Sequence, residues 1–156
     1  PLPIGFEQTI SQPYIVALMT EALNLKGNEI ILEIGTGSGY QTSVLSLLSR
    51  RVYSIERIKP LLVNALLCFK KLKLTNIVSK HDDGFLGWPK LAPFDHLIIT
   101  CAIKKIDDRL LNQVRYNGIC IAPVATSLNQ QRLKKIIVKG ILKSGLTLNI
   151  TNLIIK

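Results

Sequence analysis

The sequence lacks any long apolar run. Although 47% of its 156 residues are hydrophobic, the apolar stretches are short and charged residues interrupt them. None of them approaches the roughly 20 consecutive apolar residues that a membrane-spanning helix needs. The opening residues, 1–5, also lack the basic start and apolar centre of a secretory signal. We therefore expect a cytoplasmic protein that does not associate with a membrane.

Cysteine and histidine are both scarce. The three cysteines, Cys68, Cys101 and Cys120, are far apart, form no C-x-x-C pair and are accompanied by only two histidines. This pattern excludes a disulfide framework and offers no cluster of metal ligands. We expect no metal, and we interpret His81 and His96 as structural or surface residues.

Acidic and aromatic residues are also few. The chain has 10 acidic against 20 basic residues, a formal net charge of +10, and only 6% aromatic residues. Such a charge would suit a nucleic-acid partner if the basic residues were clustered. They are instead scattered in small groups along the chain, as in Lys70, Lys71, Lys73, Lys104, Lys105, Lys134, Lys135, Lys139 and Lys143. This distribution favours a solvated surface, so nucleic acid is not the partner that we expect.

The chain shows no repeat, no low-complexity tract and no linker, which predicts a single domain over residues 1–156. Apolar residues at helical spacing predict a helix over about 13–25, which Ser11 could cap. Further helices are predicted over about 40–49 and 60–72, with a short one capped by Asp107. Compact apolar runs predict strands over 29–34, 51–55, 77–80, 96–100 and 119–122.

Alternating strands and helices predict an α/β fold with a doubly wound, mostly parallel sheet. The tail differs, because the runs 133–139 and 146–155 are both strand-like and only glycine-containing turns separate them. We expect an antiparallel C-terminal strand pair at one edge of the sheet. The helix over 60–72 is apolar nearly all round, which predicts burial or, less directly, a partner surface.

A glycine-rich turn follows the first buried strand and indicates a ligand site. The segment reads E-x-G-x-G-x-G, with Glu33 in the strand and Gly35, Gly37 and Gly39 after it. Glycine at such a turn lets the backbone approach a ligand closely, and ligands of parallel sheets bind at the carboxyl ends of strands. A lone glycine turn can equally be a packing device. Two further acidic residues at strand ends, Glu56 and Asp83, favour the ligand interpretation, with Glu56 placed to bind ribose hydroxyls.

Several motifs occur in an order that identifies a family. Residues 3–13 read P-I-G-F-E-Q-T-I-S-Q-P, followed by L-E-I-G-T-G-S-G-Y-Q-T at 32–42, S-I-E-R-I at 54–58, D-G-x-x-G-W at 83–88, A-P-F-D at 92–95 and A-P-V at 122–124. This series resembles the protein-L-isoaspartate O-methyltransferases, whose N-terminal signature usually runs P-I-G-x-G-Q-T-I-S-Q-P.

The resemblance implies a Rossmann-like class I methyltransferase that uses S-adenosyl-L-methionine. The substrate would be the free α-carboxylate of L-isoaspartyl residues in damaged proteins and peptides, and repair would then proceed through a succinimide. Ser11 would be the active-site hydroxyl. The cofactor would be contacted by Thr9, Ile10, Gln12, Glu33, Ile34, Gly35, Thr36, Gly37, Gly39, Glu56, Arg57, Asp83 and Gly84.

The sequence departs from the family pattern at a few places. Glu7 replaces a glycine, Asp82 replaces the first glycine of G-D-G, Ala125 replaces the glycine after Pro-Val, and residues 101–104 replace small residues and proline. The usual N-terminal helical segment of the family also lies outside this sequence. One alternative is therefore a degenerate or truncated module that binds S-adenosylmethionine without turnover.

The other alternative is an RNA methyltransferase. Enzymes that methylate base amino groups usually carry [DN]-P-P-[YF] after the fourth strand, where this chain has T-C-A-I at 100–103. Cys101 could act as a nucleophile for C5 methylation of cytosine, but the expected Pro-Cys pair is missing. Both observations argue against this alternative.

Overall fold

A computed structural model describes residues 2–127, 130–142 and 145–153 of the chain. Its main feature is a seven-stranded sheet. The strands are β3 (Ile30–Ile34), β4 (Arg51–Glu56), β5 (Ile77–His81), β6 (Phe94–Ile99), β7 (Val114–Ser127), β8 (Gln130–Leu142) and β9 (Gly145–Leu153), and β1 (Pro3–Gly5) and β2 (Gln8–Thr9) form a separate hairpin. The helices are α1 (Pro13–Leu23), α2 (Tyr40–Leu48), α3 (Lys59–Lys71) and α4 (Asp108–Leu111).

The strand order in the large sheet is β5-β4-β3-β6-β7-β8-β9. The first five strands in this order are parallel, whereas β8 pairs antiparallel with β7 and β9 pairs antiparallel with β8. The prediction of a mostly parallel sheet with an antiparallel C-terminal pair is thus confirmed. Residues 154–155 of the predicted last strand lie outside the described residues.

Side chains that alternate along the strands build a core on each face of the sheet. Leu32 and Leu97 pack with α4 on one face, while their neighbours Ile31 and Ile98 pack on the other face with α1 and α2. Helices therefore cover both faces, as the doubly wound prediction requires. None of the helices in the described ranges is long and apolar enough to cross a membrane.

The start of α1 corrects one prediction. The residue that caps α1 is Gln12, without a side-chain hydrogen bond, so the prediction that Ser11 caps the helix is wrong. Pro13 occupies the first helical position and has no N–H, which removes one of the donors that a capping side chain would serve. The helix also ends at Leu23, before the predicted 25, because Asn24 adopts a left-handed conformation with φ 55°.

Asp107 caps α4 as predicted, since its Oδ1 accepts from the Arg109 N–H at 2.8 Å.

Strand β7 is much longer than the predicted 119–122. It begins at Val114, pairs with Phe94, and continues through an irregular step before Ile119 pairs with His96. Asn117, at φ 62°, precedes Gly118 in this step. An Asn-Gly pair usually signals a turn, which hid the strand, but here it forms a bulge within the strand.

Helix α3 is not buried all round as predicted. Leu61, Leu62, Ala65 and Phe69 are buried, but Val63, Leu66, Leu67 and Cys68 are exposed. The helix packs against β4 and β5, the last two strands at one end of the sheet. One layer of helix on a sheet leaves an outer face to solvent whatever its composition, so the prediction of burial was wrong for that face.

The surroundings of Gly39 predict that a side chain at this position would lower the free energy of unfolding. Gly39 has φ 82°, and a Cβ there would lie 2.6 Å from Phe69 Cε1. Gly27 also has a positive φ, 98°, but a Cβ there would have no neighbour within 4 Å. We expect Gly27→Ala to cost about 1–2 kcal/mol of unfolding free energy from its backbone alone. Gly39→Ala is expected to cost about 1–3 kcal/mol more, because it also overpacks the site. Urea denaturation measures both, and equal losses would contradict the packing role of Gly39.

Candidate functional site

A cavity of about 490 Å³ lies where four parallel strands end. Its lining comes from the segments that follow β3, β4, β5 and β6, together with the β1–β2 hairpin and the residues up to Ser11. Ligand pockets usually measure roughly 300–1,000 Å³ and in α/β sheets lie outside the carboxyl ends of the strands. This cavity is therefore the candidate functional site.

Gly35 allows two strand ends to approach closely at the floor of the cavity. A Cβ at this position would lie 2.5 Å from Thr100 Oγ1, which follows β6. The Thr100 hydroxyl contacts the carbonyl oxygens of Ile34 at 3.0 Å and Gly35 at 2.5 Å, and the Gly35 N–H donates to the Ile55 carbonyl at 2.8 Å. The glycine turn is thereby joined to the strands on both sides of β3.

Glu56 is the carboxylate that faces this turn. It is the last residue of β4, is buried and lines the cavity. Its Oε2 accepts from the Gly37 N–H and its Oε1 accepts from the Ile58 N–H, each at 2.8 Å. Each carboxylate oxygen has two lone pairs, so Glu56 keeps acceptor capacity for hydroxyl groups inside the cavity.

Asp83 and Gly84 line the cavity after β5. The Asp83 Oδ1 accepts from the Phe85 N–H at 3.0 Å and starts a short 3-10 turn, Gly84–Leu86. Asp82, which replaces a family glycine, pairs instead with Lys80 at 2.7 Å, and this contact lowers the pKa of the Asp82 carboxyl. Asp82 does not line the cavity.

The β1–β2 hairpin contributes Ile4, Gln8 and Thr9 to the lining. Its turn holds Phe6 at φ 53° and Glu7 at φ 58°, a left-handed conformation that glycine adopts at lower cost. A family preference for glycine at the position of Glu7 thus has a backbone reason. Glu7 is exposed and outside the lining of the cavity.

Glu33 lies behind the cavity and is fully buried. Its Oε2 accepts from the hydroxyls of Thr42 at 2.5 Å and Ser54 at 2.6 Å, while its Oε1 has no hydrogen-bond partner among the described residues. Burial raises the pKa of this carboxyl from 4.5 to about 7, opposed by the two hydroxyl hydrogen bonds and assisted slightly by Glu56. Burial therefore favours the protonated form of Glu33.

The cavity collects most of the predicted site residues and excludes three. Its lining includes Thr9, Ile10, Ser11, Ile34, Gly35, Thr36, Gly37, Glu56, Arg57, Asp83 and Gly84. Gln12, Glu33 and Gly39 are outside it. Gln12 caps α1, Glu33 is buried beneath the turn, and Gly39 packs against Phe69.

Other lining residues were not predicted. Tyr40 and Gln41 come from the first turn of α2, Phe85 follows Gly84, and Lys105, Asp107 and Leu110 come from the region after β6. They could have been expected only from the rule that segments after parallel strands surround the ligand site. Tyr40 and Gln41 belong to the motif at 32–42 but were assigned no contact, and no family motif included Lys105, Asp107 or Leu110.

Cys101, Ala102 and Ile103 also line the cavity. Ile103 is fixed to β7, since its N–H donates to the Pro123 carbonyl at 3.2 Å and its carbonyl accepts from Ala125 at 2.8 Å. Desolvation raises the pKa of the Cys101 thiol. A thiol that is kept protonated is a poor nucleophile, which argues against cytosine C5 chemistry at this residue.

A family model of protein-L-isoaspartate(D-aspartate) O-methyltransferases matches residues 1–144. The chain belongs to this family. A relative named protein-L-isoaspartate O-methyltransferase from Dictyoglomus thermophilum is 51% identical over 139 residues, which are 89% of this chain and 63% of the relative. The chain thus spans less than two thirds of the length of that methyltransferase.

Solved structures agree with this family membership. A protein-L-isoaspartate O-methyltransferase structure superposes with a TM-score of 0.82 and 26% identity, over 95% of this chain and 48% of the other. A Plasmodium falciparum structure described as a methyltransferase of the same kind, in complex with S-adenosyl-L-homocysteine, has a TM-score of 0.78 and 24% identity, over 99% and 77% of the two chains. The fold is that of a class I methyltransferase.

The raised pKa of Glu33 predicts that the protein loses stability as pH rises. The Glu33 carboxyl keeps its proton up to about pH 7 in the folded protein, whereas in the unfolded chain it releases the proton near pH 4.5. The stabilisation is thus complete below pH 4.5 and is lost by about pH 7, a change on the order of 3 kcal/mol. Glu33→Gln removes this pH-dependent contribution.

Urea denaturation at pH 5 and pH 8 tests this expectation. The stability of wild type relative to Glu33→Gln should be lower at pH 8 than at pH 5. Glu21→Gln, which changes an exposed carboxylate of α1, is the control and should follow wild type. Parallel pH curves for wild type and Glu33→Gln would show that Glu33 ionises as freely when folded as when unfolded.

Proposed function

We propose that this chain is a single S-adenosylmethionine-dependent methyltransferase domain, acting in the cytoplasm on L-isoaspartyl residues of damaged proteins. The methyl acceptor is the free α-carboxylate of the isoaspartyl residue. The observation that carries the proposal is the cavity at the strand ends, lined together by the glycine turn, Glu56, Asp83 and Ser11. Membership in the isoaspartyl methyltransferase family supports the choice of substrate.

The residues of the cavity fit a nucleoside cofactor. The glycine turn lines the cavity with Gly35, Thr36 and Gly37, and Glu56 supplies carboxylate oxygens of the kind that bind two ribose hydroxyls. Asp83 and Gly84 would hold the adenine, and Thr9 and Ile10 the methyl end. Arg57, Ile34, Thr36 and Gly37 complete the proposed cofactor contacts. The S-adenosyl-L-homocysteine in the Plasmodium structure supports a ligand of this class.

S-adenosylmethionine supplies a methyl group on a sulfonium sulfur, and its transfer breaks the S–CH3 bond and forms an O–CH3 bond, leaving a neutral thioether and a neutral ester. The acceptor needs no general base, because a carboxylate with a pKa near 4 is already ionised at neutral pH. What the protein must supply is geometry, which can contribute roughly 7–11 kcal/mol through proximity. Ser11, in the wall of the cavity, would donate a hydrogen bond to one carboxylate oxygen and orient the other.

A methyl-transfer assay tests the proposal directly. Label from S-adenosylmethionine should enter an isoaspartyl peptide and not its aspartyl twin. Ser11→Ala should lower kcat/KM for the isoaspartyl peptide about 10- to 100-fold, since a hydrogen bond to a charged group contributes about 1.5–3 kcal/mol. Ser46→Ala, whose hydroxyl bonds within α2, is the matched control and should retain activity.

Three outcomes of this assay count against parts of the proposal. Equal labelling of both peptides would contradict isoaspartyl specificity. S-adenosylhomocysteine binding without any transfer would select the degenerate module, for which the side chains of Cys101 and Ile103 in the cavity are the structural argument. Transfer to RNA would select the nucleic-acid alternative.

Glu56→Gln should weaken cofactor binding separately from catalysis. A glutamine has one acceptor oxygen, so its NH2 group would face the N–H of Gly37 or of Ile58. We expect calorimetry to show S-adenosylhomocysteine bound about 10- to 100-fold more weakly, as the loss of a charged acceptor implies. Glu21→Gln, outside the cavity, should bind like wild type. Unchanged affinity in Glu56→Gln would place the ribose elsewhere.

A further inference from the structure

Glu33 belongs to a chain of buried hydroxyl groups that ends in the wall of the cavity. Its Oε2 accepts from Ser54 Oγ at 2.6 Å, and Ser54 Oγ lies 2.6 Å from Thr36 Oγ1. Thr36 is the second residue of the glycine turn and lines the cavity, whereas Ser54 and Glu33 do not. The chain therefore leads from the surface of the proposed site to a carboxyl group behind it.

The direction of these hydrogen bonds follows from counting protons. A serine hydroxyl has one proton to donate, and Ser54 donates it to Glu33. Thr36 must then donate to Ser54, so the order is Thr36 to Ser54 to Glu33. Thr42 in the first turn of α2 donates to the same Oε2 at 2.5 Å. One oxygen atom thus fixes both the turn and the helix that follows it.

The surroundings of Glu33 favour an uncharged carboxyl. Oε2 receives two donors, so a proton would sit on Oε1, which is buried and has no hydrogen-bond partner within the described part of the chain. The charge of Glu56 also acts on it and disfavours a second anion. Burying a charged carboxylate costs more than burying a neutral acid at the same position.

Thr36 also controls the shape of the turn through its backbone. Its carbonyl accepts from the Gly39 N–H at 2.8 Å, and the next residue, Gly37, donates its N–H to Glu56. A shift of Thr36 would therefore disturb both hydrogen bonds.

We propose that Glu33 is a positioning residue that holds Thr36 of the glycine turn and Thr42 of α2 in place without contacting the cofactor. This inference rests on the proposed function of the cavity, and it replaces the direct contact that the family resemblance implied for Glu33. Its energetic role is preorganisation: the turn is held in its binding conformation before a ligand arrives, so less ordering is needed on binding.

The test compares four variants: Ser54→Ala, Glu33→Ala, Glu33→Gln and Ser49→Ala. Ser54→Ala cuts the chain without altering the lining of the cavity. Glu33→Gln keeps an acceptor oxygen for both hydroxyls, and Glu33→Ala removes it. Ser49→Ala is the matched control, because Ser49 is a buried serine whose hydroxyl bonds to the Leu45 carbonyl, away from the cavity.

Two readouts are needed. Amide hydrogen exchange at Gly37 and Gly39 in the free protein reports on the turn, and calorimetry with S-adenosylhomocysteine reports on binding. Ser54→Ala and Glu33→Ala should speed exchange at both amides about five- to tenfold and weaken binding by a similar factor, as loss of about 1 kcal/mol of hydrogen bonding implies. Glu33→Gln should restore both readouts to within about threefold of wild type, and Ser49→Ala should change neither.

Each contrary result points to a distinct error. Unchanged exchange in Ser54→Ala would overturn the positioning role. Weak binding by Glu33→Gln, with normal exchange, would show that Glu33 contacts the cofactor as an anion. The exchange measurement needs no ligand, and it decides the positioning role even if wild type binds no S-adenosylhomocysteine, a result that would overturn the proposed function alone. Should Glu33→Ala fail to fold, Ser54→Ala and Glu33→Gln still decide the matter.

Discussion

The two hydrogen bonds that Glu56 accepts, from the Gly37 and Ile58 N–H groups, set the arrangement of the site. They fix the glycine turn after β3 to the segment after β4, so that two neighbouring parallel strands end in one wall. Gly35 lets the end of β6 approach the same turn, because a side chain there would collide with Thr100. A parallel sheet brings such segments to the same edge, and a carboxylate at the right strand end turns that edge into a site for hydroxyl groups.

Behind that wall lies a second carboxyl group, Glu33, in a different environment. Glu56 faces the cavity and has two backbone donors, whereas Glu33 is fully buried and has two hydroxyl donors on a single oxygen. The same side chain can thus serve as an anion toward a ligand or as a neutral anchor inside the protein, depending on its solvation. In this chain Ser54 connects Glu33 to Thr36 of the glycine turn, and the next residue, Gly37, donates its N–H to Glu56.

The sequence predicted the architecture well and the ends of elements less well. The compact apolar run and the glycine turn identified β3 and α2 almost to the residue, because buried parallel strands leave a strong signal. The long strand β7 escaped because its Asn-Gly bulge has the local signature of a turn, and the exposure of Leu66 and Leu67 escaped because composition does not show which face the sheet covers. Among the site residues, Glu33 and Gly39 carry the same motif as their cavity-lining neighbours; only tertiary contacts with Ser54, Thr42 and Phe69 separate them.

A crystal structure with S-adenosyl-L-homocysteine would show which of these residues contact the cofactor. We expect both ribose hydroxyls within hydrogen-bond distance of the Glu56 carboxylate, the adenine beside Asp83 and Gly84, and the Glu33 carboxyl still bonded to Ser54 and Thr42. A ligand bound outside this cavity, or one that touches Glu33 while Glu56 remains bonded to backbone alone, would contradict this expectation.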